Sequence, residues 1–95
     1  MSATYDREAE LEVIRTAFPG MSEDSRACRV IAGAMEYRLT PCQRQTLVLY
    51  YTRGMNLSQI ARLRGVQPST VLRTMRRAKQ RLLWALRLGG IGIDD

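Results

Sequence analysis

The sequence predicts an all-α fold: a small domain of about five helices with a C-terminal helix-turn-helix. Three observations lead there. Apolar residues recur at three- and four-residue spacing along most of the chain, and no segment alternates as a half-buried strand would. Cap and breaker residues punctuate that pattern at Pro19-Gly20, Ser22, Thr40-Pro41, Gly54, Asn56, Gly65 and Gln67-Pro68. Residues 56–82, NLSQIARLRGVQPSTVLRTMRRAKQRL, place one helical pattern on each side of a single glycine.

Taken in order, residues 1–4 are expected to fray, and Tyr5 to Phe18 to form the first helix. Leu11, Ile14 and Phe18 are its apolar positions, with Ala17 beside them. Glu8, Glu10 and Glu12 form a solvated acidic face in the early turns, where the helix dipole favours negative charge. Pro19-Gly20 ends the helix. Ser22 is expected to cap a second helix running to about Arg38, with Ala27, Val30, Ile31, Ala34 and Met35 as its stripe. Thr40 caps the third helix and Pro41 opens it. Leu47 to Tyr51 is its buried part and Gly54 its C-terminal glycine.

Asn56 and Gln59 form a capping box for the fourth helix. Ile60, Ala61 and Leu63 face inward, Gly65 supplies the positive φ of the turn, and Val66 is expected as a buried pivot. Pro68 opens the fifth helix, whose inward stripe is Val71, Met75, Ala78 and Leu82. The helix-turn-helix core is therefore Ile60, Ala61, Gly65, Val66, Val71 and Met75. Ala61 is small enough for a close crossing, Gly65 makes the turn, and Val71 locks the second helix from the other side.

Beyond Leu82, the residues Leu83, Trp84, Leu86 and Leu88 are apolar on more than one face, up to a stop expected at Gly89-Gly90. Such a segment needs cover all round. Either the two N-terminal helices fold back onto it, or two chains pair through it as a homodimer. The expected organisation is an acidic N-terminal helical pair (1–38), the helix-turn-helix unit (39–88) and a tail (89–95).

A chain of 95 residues makes one small domain with a modest core. No run spans a membrane and no signal pattern opens the chain, so a cytoplasmic protein is expected. The chain has no histidine. That removes Ser/His and Cys/His nucleophile arrangements, and no phosphate-cradling glycine loop is present. No catalytic residue, metal site or cofactor is expected. Cys28 and Cys42 lack zinc spacing and are expected as reduced, partly buried thiols, with a disulfide as the alternative.

Charge is the most informative property. Residues 1–36 hold 4 basic and 7 acidic side chains; residues 37–93 hold 11 basic side chains and no acidic one. An arginine-rich half without acids suits a polyanion, because each cation near a phosphate releases counterions.

From Leu39 to Leu82 the chain resembles region 4 of the sigma-70 family of RNA polymerase specificity factors. The resemblance rests on Leu39-Thr40-Pro41, Gln43-Arg44, Leu47 to Tyr51, Gly54, Ile60-Ala61, Gly65-Val66, Ser69-Thr70-Val71, Arg77-Ala78 and Arg81-Leu82, in register without a gap. The output domains of response-regulator activators are the nearest competitor, but the Arg-Ala-x-x-x-Leu ending looks like the sigma type. The resemblance implies binding of double-stranded DNA in bacterial or phage transcription, with the fifth helix entering the major groove by its N-terminal end.

Roles within that helix follow from chemistry. Arg73 suits the paired acceptors of guanine, Ser69 a base or a phosphate, and Leu72 a thymine methyl. Gln67, Thr70, Arg76, Arg77 and Gln80 suit the backbone, flanked by Arg44, Arg53, Arg62 and Arg64. Pro68, Ser69 and Leu72 stand where the family commonly has charged residues, so its usual −35 element is not carried over. Arg64 stands where an apolar residue is usual, and its stem is expected to cover the core while its head reaches out. The promoter-melting and −10-reading regions of a full sigma factor are not among these residues. A sequence-specific regulator is one reading. The other is a polymerase-bound adaptor, split sigma subunit or anti-activator, contacting the β flap or a partner sigma fragment. RNA is disfavoured because Tyr50, Tyr51 and Trp84 are expected in the core.

Overall fold

In a computed structural model, residues 7–93 are described, with side chains for 8–88, and they form five helices: α1 (Arg7–Ala17), α2 (Arg26–Tyr37), α3 (Pro41–Tyr51), α4 (Leu57–Arg64) and α5 (Pro68–Ile93). The described residues contain no strand. The expected start of α1 at Tyr5 lies outside them.

The 26-residue α5 is the common packing partner. It packs against α2, α3 and α4, while α1 closes over α2 and α3. Val71, Met75, Ala78, Leu82 and Ala85 are its buried stripe, at helical spacing of three and four. Fully burying a side chain such as Val71 or Leu82 contributes about 1.5–3 kcal/mol. The rest of the core comes from Ile31, Ala34 and Met35 of α2, Leu39 and Leu47 around α3, and Ile60 and Ala61 of α4.

The helix starts follow their caps. Thr40 accepts from Gln43 N and the Gln43 side chain returns a bond from Thr40 N, both at 3.1 Å. Asn56 and Gln59 repeat the arrangement at 2.8 and 2.9 Å. The second helix differs from expectation. Ser25, not Ser22, is its N-cap, accepting from Cys28 N at 3.1 Å. Ser22 instead accepts from Asp24 N and Ser25 Oγ, which closes a turn before the helix. The last helix also differs, running through Gly89-Gly90 to Ile93 instead of ending in a tail. Each glycine costs a helix about 1 kcal/mol relative to alanine but removes no hydrogen bond, so it does not by itself stop the chain.

Fold-back of the N-terminal pair onto α5 is realised by α2, while α1 lies mainly on α2 and α3. That cover is one-sided. Leu82 and Ala85 are buried, yet Leu83, Trp84 and Leu88 stay exposed, so Trp84 is not a core residue. Tyr50 is likewise exposed and meets Tyr51 edge-on, with ring centroids 5.0 Å apart. Cys28 is buried and Cys42 exposed, both as free thiols. Burial raises the pKa of Cys28.

Glu10 overturns the solvated acidic face. It is 1% exposed, and neither carboxylate oxygen has a hydrogen-bond partner. Val13 and Ile14 lie three and four residues on, so Glu10 shares the buried face of α1. Glu12 does stay outside, paired with Arg15 at 3.0 Å, and Arg15 also pairs with Glu23.

Burial pushes the Glu10 carboxyl up to about 7; Glu36 adds repulsion and Arg44 opposes it. The folded protein therefore holds this proton more tightly than the unfolded chain. Stability from this group is intact below about pH 4.5 and declines as pH rises to about 7, by about 3 kcal/mol in all. Glu10→Gln should match the parent in denaturant unfolding at about pH 4.5 and exceed it at about pH 8. Equal pH dependence of the two proteins would show that Glu10 is not the titrating group.

Candidate nucleic-acid interface

The helix-turn-helix is built by α4, three linking residues and the first half of α5. Ile60, Ala61, Val71 and Met75 are buried at the crossing. Gly65 closes α4 in the left-handed region at φ 73° and ψ 34°. Its N–H donates to Arg62 O at 3.3 Å, and Val66 N–H donates to Ala61 O at 3.0 Å. A Cβ at Gly65 would touch nothing within 4 Å, so the glycine is needed for its backbone angles alone. Val66 is 41% exposed: its backbone closes the turn, but its side chain is no buried pivot. Leu63 also points outward, at 65% exposed. With only eight residues, α4 turns one narrow stripe inward, and Leu63 lies off it.

Gln67 O accepts from Thr70 N at 2.9 Å and Val71 N at 3.3 Å, which starts α5. No acidic residue sits in its first turn, so the positive end of the helix dipole is uncompensated. With the Val71–Met75–Ala78 stripe inward, Ser69, Arg73, Arg76 and Gln80 fall on the outer face at i, i+4, i+7 and i+11. All four are exposed, as are Gln67, Pro68 and Arg77, whereas Thr70 and Leu72 are half-buried at its edges. Arg73, Arg76 and Arg77 make no hydrogen bond or ion pair with the described residues, nor do Arg53 and Arg62.

Two arginines expected to flank a groove are used differently. Arg44 donates to Met35 O at 3.0 Å and to Glu36 O at 3.3 Å, capping the end of α2. Arg64 turns back to α3, donating to Cys42 O at 3.3 Å and Gln45 Oε1 at 3.1 Å, so its head does not reach out. Arg81 joins them structurally by donating to Arg38 O at 3.0 Å, and Lys79 lies 5.4 Å over the Tyr51 ring. One signal for these clamps was present in the sequence. With no acid between residues 37 and 93, an arginine there that stays within its own half meets neutral acceptors, carbonyls and amide oxygens among them.

Among the described residues, no three metal-ligating side chains cluster, and no helix is long and apolar enough to cross a membrane. The side chains brought together are cations on one helix face, an arrangement suited to binding a polyanion.

Gly65→Ala is expected to destabilise the fold by about 1–2 kcal/mol, the left-handed penalty of an L-residue. Chemical denaturation checks it. An unchanged midpoint would mean that the turn relaxes without its positive φ.

Residues 38–82 match the family model for sigma-70, region 4, a segment just short of half the 95-residue chain. The match starts at the α2 C-cap and ends within α5. Neither a curated protein nor a solved structure matches the chain.

Proposed function

Because residues 38–82 form a sigma-70 region 4-like helix-turn-helix domain, we propose that the chain binds double-stranded DNA sequence-specifically through the N-terminal half of α5, in the regulation or initiation of transcription. The observation that carries this reading is the outward face of Ser69, Arg73, Arg76 and Arg77, whose cations have no partner among the described residues. α5 enters the major groove with its uncompensated N-terminus leading. Arg73 reads a guanine through O6 and N7, and Ser69 and the half-buried Leu72 sit beside it at the base edges. Gln67, Thr70, Arg76, Arg77 and Gln80 meet the backbone, with Arg53 and Arg62 at the flanks. Arg44 and Arg64 support the interface from within, holding α2 to α3 and α3 to α4.

Selection of random duplex DNA by the purified protein at two salt concentrations tests the reading. A motif that survives the higher salt supports it. Binding without a motif, vanishing as salt rises, would shift the reading to a polymerase-bound adaptor or split sigma subunit.

On the selected site, Arg73→Ala should cost about 1–3 kcal/mol and relax the base preference at one position. Arg77→Ala should weaken all sequences about equally and reduce the log–log salt slope by about 0.9. If neither substitution changes affinity, α5 does not lie in the groove as described.

A further inference from the structure

The seat of α1 differs from that of the other helices. α1 lies mainly on α2 and α3, at the margin of the core built around α5. Residues 18–25 join it to α2, and Gly20 among them takes the left-handed region at φ 90°. Val13 and Ile14 are its buried apolar anchors, and the Glu10 carboxyl is buried on the same face. The ion pair of Arg15 with Glu23 also ties α1 to this linker, but both side chains are largely in water, so it adds little.

The surroundings of Glu10 suit a neutral carboxyl and not a carboxylate. Glu36 faces it from α2 and Arg44 from α3, and the Cys28 thiol of α2 also feels its charge. Arg44 is already engaged, donating to Met35 O and Glu36 O. Neither Glu10 oxygen has a hydrogen-bond partner among the described residues. An ionised Glu10 in this seat is a desolvated charge without a bond, and moving α1 into water removes that cost. The packing of α5 on α2, α3 and α4 does not require α1. Cys28 lies under the same helix: it is 2% exposed, and Glu10 and Arg15 of α1 are among the charges acting on it. Cys42 of α3 is exposed.

We propose that α1 is a pH-gated cover: when Glu10 ionises, α1 leaves α2 and α3 as a unit while the α5-centred core stays folded, and the Cys28 thiol is uncovered. The seated carboxyl keeps its proton up to about pH 7, chiefly through burial and then through repulsion by Glu36, whereas the released helix loses it near pH 4.5. Release therefore grows about tenfold per pH unit between those values and levels off above them. Such a local opening is separate from unfolding of the whole chain, and it makes no use of the outward face of α5.

The two cysteines make the test direct. The full chain is labelled with 2,2′-dithiodipyridine, a disulfide that reacts with thiols in acid and neutral solution alike. Mass spectrometry follows the initial rate at each cysteine from about pH 5 to pH 8. Dividing the Cys28 rate by the Cys42 rate cancels the pH dependence of the thiol chemistry and leaves the frequency of uncovering. This ratio should rise about tenfold from about pH 5.5 to 6.5 and flatten above about pH 7. In Glu10→Gln and in Glu10→Leu it should stay low and flat. Hydrogen exchange of residues 8–17, referred to unfolded-chain rates, should rise in parallel while α5 stays protected.

A parent ratio that ignores pH overturns the proposal, because an ionised Glu10 would then stay seated, held by Arg44. So does a pH dependence that both variants retain. Loss of protection in α5 together with α1 would replace the local cover by unfolding of the whole chain. The parent titration stands without the variants, and circular dichroism of each variant identifies any that fails to fold.

Discussion

Burial of one stripe of α5 is the constraint on which the rest of the structure depends. Val71, Met75, Ala78, Leu82 and Ala85 must all face the other helices. At 3.6 residues per turn, that choice also fixes where every other side chain of α5 points. Ser69, Arg73, Arg76 and Gln80 are turned outward because the opposite stripe is inward. The DNA-reading face proposed for this chain is thus a consequence of core packing. The left-handed turn at Gly65 performs the complementary task of setting where α5 begins relative to α4.

The second organising fact is an absence of carboxylates. From residue 37 to residue 93 the chain supplies cations and no acids. Arginines in this half divide by what surrounds them. Arg44, Arg64 and Arg81 lie near main-chain carbonyls and bond to them, joining α3 to α2, α4 to α3 and α5 to the end of α2. Arg73, Arg76 and Arg77 find no such acceptor among the described residues and remain outward. A guanidinium carries five donors, so the same residue type serves as an internal clamp or as a ligand for an external anion.

The N-terminal helices answer a different need. A 45-residue helical unit alone would leave much of the long α5 uncovered, and α2 lies along it. Packing α1 over α2 and α3 brings the Glu10 carboxyl out of water beside Glu36, with Arg44 as the opposing charge. Arg44 also holds the end of α2, so one arginine of the basic half both faces the Glu10 carboxyl and ties down the acidic half. An unpaired buried carboxyl is costly when ionised, and it ties the stability of the N-terminal layer to pH.

Helix number and order, the capping boxes at Thr40 and Asn56, the Gly65 turn and the inward stripe of α5 were legible in the sequence. Each depends on residues a few positions apart, where spacing and cap chemistry suffice. The same holds for the outward position of Ser69, Arg73, Arg76 and Arg77. Ser25 displaced Ser22 as a cap because both serines offer the same local chemistry, and the choice rested on where α2 packs. The burial of Glu10, the exposure of Val66, Leu63, Tyr50 and Trp84, and the inward reach of Arg44 and Arg64 depended on partners distant in sequence. The sequence by itself determined which helices form and which face of each is apolar, because those are local and periodic properties. Only the tertiary structure decided which apolar faces found cover and which arginines found carbonyls, because a contact requires two segments whose meeting no local pattern encodes.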